Sequence, residues 1–216
     1  MIKIENEQVF GWEAAFRGMR NPMNSWDTSD SEFSNSELGP QLGDNDLKLA
    51  KSLSDAGDTH SKYLRMITVY ADVTAPLYWW KEADTYKVGT VANSCSTMHK
   101  ITAKEFRIED FSHDHLGMPA IRLLDRIVCE LNLYRDEYNN ATDAKEKKYD
   151  WWQMIQLLPS SYNQKRTLMM NYQVLKNIYH TRRNHKLDEW RAFCYWIETL
   201  PYSYLITGEP EKDKHE

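Results

Sequence analysis

Residues 83–99, ADTYKVGTVANSCSTMH, form the first of two candidate functional segments. The segment carries little apolar surface, and its hydroxyl and amide members include Thr85, Thr90, Asn93, Ser94 and Ser96. Such side chains can contact a phosphate group or the edge of a heterocycle at close range, and Lys87 would add one cation. The alternative is that they only satisfy backbone groups in a buried turn.

A cationic helix face near the C-terminus is the second candidate. Lys176, His180 and Arg183 are three or four residues apart, so a helix would place them on one face where they could converge on an anion. The alternative is a solvated helix end, where the helix dipole favours cations, and Arg182 and Lys186 fit that description.

General catalytic templates are absent from the sequence, which has no GxxxxGK[ST], GxGxxG or GxSxG motif. The segment from His113 to His115 offers two imidazoles and one carboxylate without a defined third ligand, which favours a solvated turn over a metal site. Cys95 has no histidine at a fixed spacing to activate it. We therefore assign no catalytic residue and predict no metal.

Composition restricts the class of protein. The 216 residues carry a formal net charge of −5, which argues against a protein that grips long nucleic acid. The cysteines, Cys95, Cys129 and Cys194, are far apart and odd in number, which favours a reduced intracellular compartment. No apolar signal core or membrane-length apolar run is visible. We expect a soluble cytoplasmic protein that does not act at a membrane.

The spacing of apolar residues predicts a helix-rich chain with at least one strand. The predicted helices cover residues 7–20, 46–56, 76–84, 119–138, 165–182 and 187–200. Alternation of Ile67, Val69, Ala71 and Val73 with polar neighbours predicts a strand that ends before Pro76. We expect one domain over residues 1–207, with an acidic surface loop at 27–46 and a frayed tail at 208–216.

The order of these landmarks resembles that of the flavin-dependent thymidylate synthases. That family carries the signature RHRxxSxNExSxRY, preceded by an HxSxxEH strand and an Ala-Pro dipeptide, and here His60 precedes the strand that leads to Ala75 and Pro76. Aligned on the asparagine, Asn93 and Ser96 match the signature, while Tyr86, Lys87 and Val88 stand in place of Arg-His-Arg. Aligned without a gap from Pro76, Lys87 meets the second Arg and Thr90 the first Ser, so two registers stay open.

The C-terminal half is similar to the same family. Leu158 and Pro159 fit its Leu-Pro landmark, and Lys176 falls on the Arg of its NLR motif. His180 falls on a frequent histidine, Arg183 on the Arg of LxxR, and Arg191 on the closing Arg. The resemblance covers roughly residues 46–191.

The resemblance implies an α/β fold of the α+β type, in which long helices flank a central mixed sheet. It also implies a homotetramer in which FAD and deoxyuridylate lie between subunits, with NADPH and methylenetetrahydrofolate as co-substrates. The implied cofactor-binding residues are His60, Lys87, Thr90, Asn93 and Lys176. The implied substrate-binding residues are Tyr86, Ser94, Ser96, His180, Arg183 and Arg191.

The resemblance and the departures from it leave three functions open. The first is methylation of dUMP to dTMP, or modification of a related deoxypyrimidine nucleotide. The second is a non-catalytic relative that sequesters or senses a nucleotide, because a lysine in place of arginine loses the bidentate grip on phosphate. The third is a structural protein whose aromatic surfaces serve assembly only.

Overall fold

The computed structural model describes residues 2–33 and 39–208, which form four strands and nine α-helices. The strands are β1 (Lys3–Phe10), β2 (Thr68–Pro76), β3 (Val91–Ser94) and β4 (Asn163–Asn171). The helices are α1 (Trp12–Arg20), α2 (Asp44–Asp55), α3 (Leu77–Ala83), α4 (Thr97–Lys100), α5 (Met118–Asn140), α6 (Ala144–Leu157), α7 (Tyr172–Arg182), α8 (Asp188–Thr199) and α9 (Tyr204–Thr207).

The strands form a single sheet in the order β1-β2-β4-β3. The backbone N–H of Leu77 donates to the carbonyl of Tyr162, and that of Tyr172 donates to the carbonyl of Ile67, both at 3.0 Å. Because the later residue of one strand pairs with the earlier residue of the other, β2 and β4 run antiparallel. The predicted fold class, a sheet combined with long helices, is confirmed, and the sheet is antiparallel and not mixed.

The strand predicted before Pro76 is confirmed as β2. Ile67, Val69, Ala71 and Val73 are at most 1% exposed, whereas the residues between them are partly or fully exposed. This is the alternation expected of a strand with one face in a core.

The helix predicted over residues 7–20 is wrong in its first part. Residues up to Phe10 belong to β1, so Val9 is a strand residue, and α1 begins at Trp12. Gly11 separates the two elements with φ 92°, and a Cβ at this position would lie 2.2 Å from the carbonyl oxygen of Met66. Only glycine allows both this backbone conformation and this close approach.

The helix predicted over residues 165–182 is also wrong in its first part. Residues up to Asn171 form β4, in which Leu168 and Met170 are buried at alternate positions. The side-chain oxygen of Asn171 then accepts a hydrogen bond from the N–H of Val174 at 3.0 Å. This bond is an N-cap and fixes the start of α7 at Tyr172.

The other predicted helices are confirmed to within two residues at each end as α2, α3, α5 and α8. The apolar spacing does not predict α6. Its start is fixed by Asp143, whose carboxylate accepts hydrogen bonds from the N–H groups of Lys145 and Glu146. Among the residues that the structure describes, no helix has the length and apolar content needed to cross a bilayer.

The chain divides into two compact units. The first comprises Val73–Thr85 and Asn93–Arg166, with the N-terminal residues to Lys3. In this unit α5 and α6 pack together over an apolar core of Ile101, Phe106, Phe111, Leu124, Leu131 and Met154. The prediction of one domain over residues 1–207 stays a prediction.

The second unit comprises Ile4–Asp72, Tyr86–Ala92 and the chain from Thr167 onward. Here α7 packs against α8 and α9, and Tyr172, Leu175, Trp190 and Ile197 are fully buried. The second unit also contains part of the loop predicted over 27–46. Residues 34–38 of that loop, and 209–216 of the predicted tail, lie outside the described residues.

The described part of that loop is held by a buried carboxylate. Asp46 pairs with Arg20 at 2.6 Å, and the side chains are 0% and 4% exposed. The same carboxylate accepts hydrogen bonds from the hydroxyls of Ser29 and Ser31 at 2.8 and 2.5 Å. The acidic segment is therefore anchored at its C-terminal end, and Asp46 is a core residue and not a surface one.

Candidate functional site

The turn that follows Tyr86 packs against the first turn of α7, within the second unit. Gly89 has φ 80°, and a Cβ there would lie 2.9 Å from Nδ2 of Asn171 and 3.0 Å from Cγ2 of Val174. The residue that caps α7 is thus also the residue that the turn contacts. This close approach explains a glycine inside the polar segment.

Tyr86 joins this turn to the C-terminal end of α7. Its hydroxyl accepts a hydrogen bond from Nε of Arg182 at 2.8 Å, and its ring meets the edge of Trp190 at 5.8 Å. The guanidinium of Arg182 lies 4.8 Å from the ring centre of Trp190 and 5.6 Å from that of Tyr86. The assignment of Arg182 to a solvated helix end is therefore wrong, because two aromatic rings enclose its charged group.

The remaining residues of the turn differ in exposure. Lys87 is exposed, and Val88 is 92% exposed. Thr90 is partly buried, and its hydroxyl oxygen is buried without a hydrogen-bond partner in the part of the chain that the structure describes. A buried hydroxyl without a partner is uncommon in folded proteins, and it marks a place where a ligand atom or a water molecule would be stabilised.

The predicted cationic face of α7 is only partly assembled. The ammonium of Lys176 donates to both the carbonyl and the hydroxyl oxygen of Ser54, each at 2.8 Å. Burial lowers the pKa of Lys176, while Asp58 and Asp55 act in the opposite direction. The Lys176 ammonium thus binds to the C-terminal end of α2, where the helix dipole favours a cation.

The other predicted cations lie near the end of α7 and in α8. His180 and Arg183 are exposed, and both lie against Tyr179, with the His180 ring 5.6 Å and the Arg183 guanidinium 5.8 Å from its ring centre. Arg191 donates to the carbonyl of His185 at 2.8 Å and also pairs with Asp188. Arg191 therefore holds the segment that connects α7 to α8 against the first turn of α8.

His60 lies in the turn before β2. The residue is exposed, and its N–H donates to the carbonyl of Gly57 at 3.0 Å. The neighbouring Ser61 is buried and donates to Oε1 of Gln173 at 2.9 Å. A hydroxyl and an amide, and not the imidazole, thus make the buried contact between this turn and α7.

Asn93, Ser94 and Ser96 belong to the first unit. Asn93 and Ser94 lie in β3, whose four residues are all exposed. The interpretation of Asn93 and Ser94 as members of a buried turn is therefore wrong. Ser96 is partly buried and accepts a hydrogen bond from the N–H of His99 at 3.2 Å, which caps the short helix α4.

A cleft of about 460 Å³ opens beside Ser96, and residues of the first unit alone line it. One wall is the chain from Cys95 to Lys104, and the opposite wall includes Tyr162, Asn163, Gln164 and Lys165. Pockets of about 300–1,000 Å³ accommodate small organic ligands. Ser96 is a predicted site residue, whereas the opposite wall is not, because β4 lies almost seventy residues away along the chain and only the Leu-Pro landmark at Leu158 and Pro159 precedes it.

Gln164 and Arg166 hold the wall that carries Ser96. The side-chain nitrogen of Gln164 donates to the carbonyl of Cys95 at 2.9 Å and to the hydroxyl of Thr97 at 3.0 Å. Arg166 donates to Oε1 of Gln164 at 3.0 Å and to Asp84 at 2.7 Å. Its guanidinium also lies 4.1 Å from the ring centre of Trp80. These contacts fix the start of α4 relative to β4 and α3.

Within residues 2–33 and 39–208, no group of three or more His, Cys, Asp or Glu side chains could hold a metal ion. His113 instead makes a local contact, since its Nδ1 lies 2.8 Å from the carbonyl oxygen of Phe111.

Comparison with known proteins gives the fold but no sequence relative. No family model matches the chain, and no curated protein matches it. The crystal structure of thymidylate synthase X from Helicobacter pylori with FAD and dUMP aligns with a TM-score of 0.68 at 15% identity, over 97% of this chain and 98% of that one. A second structure of the flavin-dependent thymidylate synthase from Helicobacter pylori, complexed with FAD and dUMP, aligns with a TM-score of 0.66 at 15% identity, over 96% and 98%. The chain therefore has the fold of a flavin-dependent thymidylate synthase.

Proposed function

We propose that this chain is a divergent flavin-dependent thymidylate synthase-like protein that binds a deoxypyrimidine nucleotide. Its nominal activity is the methylation of dUMP to dTMP or the modification of a related nucleotide. The observation that carries the proposal is the match in fold over the whole chain to proteins crystallised with FAD and dUMP. In keeping with the resemblance, the protein acts in the cytoplasm as a homotetramer.

The exposure of the polar segment supports a role in binding. The side chains of Asn93 and Ser94 are exposed and bond to no backbone group among the described residues, so they are available to a ligand. In the second unit, the buried hydroxyl of Thr90 without a partner among the described residues is the feature that fits a bound group. We propose His60, Lys87, Thr90, Asn93 and Lys176 as contacts of FAD.

The nucleotide contacts proposed are Tyr86, Ser94, Ser96, His180, Arg183 and Arg191. In this class of reaction bound flavin supplies the hydride, with NADPH and methylenetetrahydrofolate as co-substrates, so the protein needs no nucleophile. The chain's own residues would bind and orient the nucleotide and keep water from it. Arg183 is the contact best suited to a test, because it is exposed at the end of α7.

A non-catalytic nucleotide-binding protein is the second candidate, and the environment of the signature positions favours it. In the register aligned on Asn93, Tyr86 and Val88 carry no charge where the resembled family has arginine, and Val88 is 92% exposed. Tyr86 is already bonded to Arg182 within the chain. A protein with this turn could keep a nucleotide site and lose flavin chemistry.

Absorbance and melting measurements on the purified protein test both candidates. We expect dUMP to raise the melting temperature, because a ligand that binds only the folded state stabilises it. A flavin band together with dTMP formation supports the enzyme, and a dUMP shift without either supports the second candidate. If neither dUMP nor another deoxynucleotide changes the melting temperature, the proposed function is wrong.

A matched pair of variants tests the site. Arg183→Ala is expected to abolish the shift caused by dUMP, and Lys186→Ala, another exposed cation shortly after α7, is expected to leave it unchanged. Equal shifts in the wild type and in both variants would remove Arg183 from the site.

A further inference from the structure

The cleft beside Ser96 carries more positive than negative charge. Its charged lining residues are Lys100, Lys104, Lys165, Glu109 and Asp110. Three ammonium groups against two carboxylates leave an excess of one positive charge in a chain whose formal net charge is −5. A local excess of opposite sign to the whole molecule concentrates small anions at that place.

The three lysines are not equivalent. Lys104 is held by Asp110, with 2.5 Å between its Nζ and the carboxylate oxygen. The backbone carbonyl of Lys165 accepts a hydrogen bond from the N–H of Cys95 at 2.9 Å, and the residue makes a further contact. Lys100 is exposed, and its ammonium makes no hydrogen bond or ion pair with any residue that the structure describes. Lys100 can therefore bind an anion without first breaking a contact within the protein.

Neutral donors complete the lining. The hydroxyl of Tyr162 makes no hydrogen bond within the described part of the chain, although its ring packs against Phe106 and Phe111. Asn163 uses its side-chain oxygen to accept from Ser112 at 2.9 Å, which orients its amide. A phenol and an amide beside an ammonium offer directed hydrogen bonds to an oxyanion.

The wall that carries Lys100 is fixed before any ligand arrives. Gln164 holds Cys95 and Thr97, and Arg166 orients Gln164. Lys100 is the last residue of the short helix that begins at Thr97, so the same contacts set its position. A preorganised wall reduces the entropy that is lost when a ligand binds.

We propose that this cleft binds a phosphate monoester of nucleotide size, with Lys100 as the main cation and Tyr162 and Asn163 as neutral donors. The inference rests on the proposed function and deepens it. It assigns the phosphate contact to the chain after the signature, and Lys87, which does not line the cleft, keeps its proposed role as a contact of FAD. The carboxylate of Glu109 would face the hydroxyl or N–H groups of the remaining part of the ligand.

The test is calorimetric titration of the full-length protein with dUMP, deoxyuridine and inorganic phosphate. Hydrogen bonds to charged groups contribute about 1.5–3 kcal/mol, so Lys100→Ala should weaken dUMP binding about tenfold to hundredfold. Lys186→Ala, which also removes an exposed lysine and lies outside the proposed binding residues, should leave the Kd within about twofold. Deoxyuridine should bind wild type and Lys100→Ala equally weakly. Lys100→Glu, which reverses the charge, should weaken dUMP binding further than Lys100→Ala.

Each contrary result has a separate meaning. If dUMP binds the wild type and the Lys100 variants equally well, the cleft is not the phosphate site and the proposed function stands. If dUMP does not bind but inorganic phosphate binds in a manner that depends on Lys100, the cleft is an anion site and the nucleotide function is wrong. If the wild type binds neither ligand, both proposals are wrong.

Discussion

The hydroxyl of Tyr86 accepts a hydrogen bond from Nε of Arg182 at 2.8 Å, although 96 residues separate them in the chain. In the register aligned on Asn93, Tyr86 takes the place of an arginine of the resembled family, and here the tyrosine engages a cation of its own chain. The bond fixes the rotation of the guanidinium, which also lies over Trp190.

Tyr86→Phe is expected to lower the free energy of unfolding by about 1 kcal/mol, because Arg182 loses one acceptor while the ring contact with Trp190 remains. Urea unfolding followed by tryptophan fluorescence measures the change. Tyr195→Phe is the matched control, since Tyr195 is 64% exposed and its hydroxyl bonds to no residue in the described ranges. Equal values for the two variants would show that the bond to Arg182 adds nothing.

Gly89→Ala is expected to destabilise the protein by more than the cost of its left-handed backbone conformation alone. A left-handed φ costs a non-glycine residue about 1–2 kcal/mol, and here the new methyl group also meets Asn171 and Val174 at 2.9 and 3.0 Å. Gly57→Ala is the control, because its φ is 98° and no atom lies within 4 Å of its Cβ position. Thermal unfolding of both variants separates the two effects, and a smaller loss at Gly89 would contradict the close packing of the turn on α7.

Asp46→Asn is expected to cost about 3–5 kcal/mol of stability, because it leaves the buried guanidinium of Arg20 without its counter-charge. Asp55→Asn in the same helix breaks an exposed pair with Lys51, 3.7 Å apart, and should cost less than about 1 kcal/mol. Equilibrium unfolding in urea gives both values. Similar small losses in the two variants would mean that the Arg20–Asp46 pair does not anchor the loop.

Acid should remove the contribution of Asp46. Burial by itself raises the pKa of this carboxyl, but hydrogen bonds from Ser31, Ser29 and Arg20 together outweigh burial and lower the pKa below its ordinary 3.8. The folded state therefore stabilises the charged form, so the contribution is complete well above pH 3.8 and is lost as the pH falls through the lower folded value. Unfolding free energies of wild type and Asp46→Asn across this range should converge on acidification, and convergence on raising the pH would contradict the assignment.

The sequence predicts elements well where a single periodicity holds. Alternation in β2 and the three-to-four spacing of α5 and α8 identify these elements, because each buries one face against a core. The spacing from Leu168 to Tyr172 fits a helix equally well, so the sequence predicts one helix over residues 165–182 where the structure has most of β4 followed by α7. The structure separates the two through the cap at Asn171, which spacing alone does not reveal.

The candidate site is harder to predict from the sequence, because the residues that contact its side chains come from distant segments of the chain. Arg182 has the same charge as Arg183 and lies beside it, but contacts from Tyr86 and Trp190 distinguish the two. Lys176 matches a cofactor contact by position, while Ser54 in another helix engages its ammonium. Residue type and spacing along one helix carry no information about which other elements pack against that helix.

The junctions at Pro76–Leu77 and Asn171–Tyr172 contain no connecting residue, since each strand passes directly into a helix. Adding one amino acid inside either strand would exchange its inner and outer faces, and it would rotate the following helix by about 100° relative to the strand. Insertions and deletions at these two junctions are therefore expected to prevent the protein from folding. Divergence there must proceed by replacement of side chains at constant length.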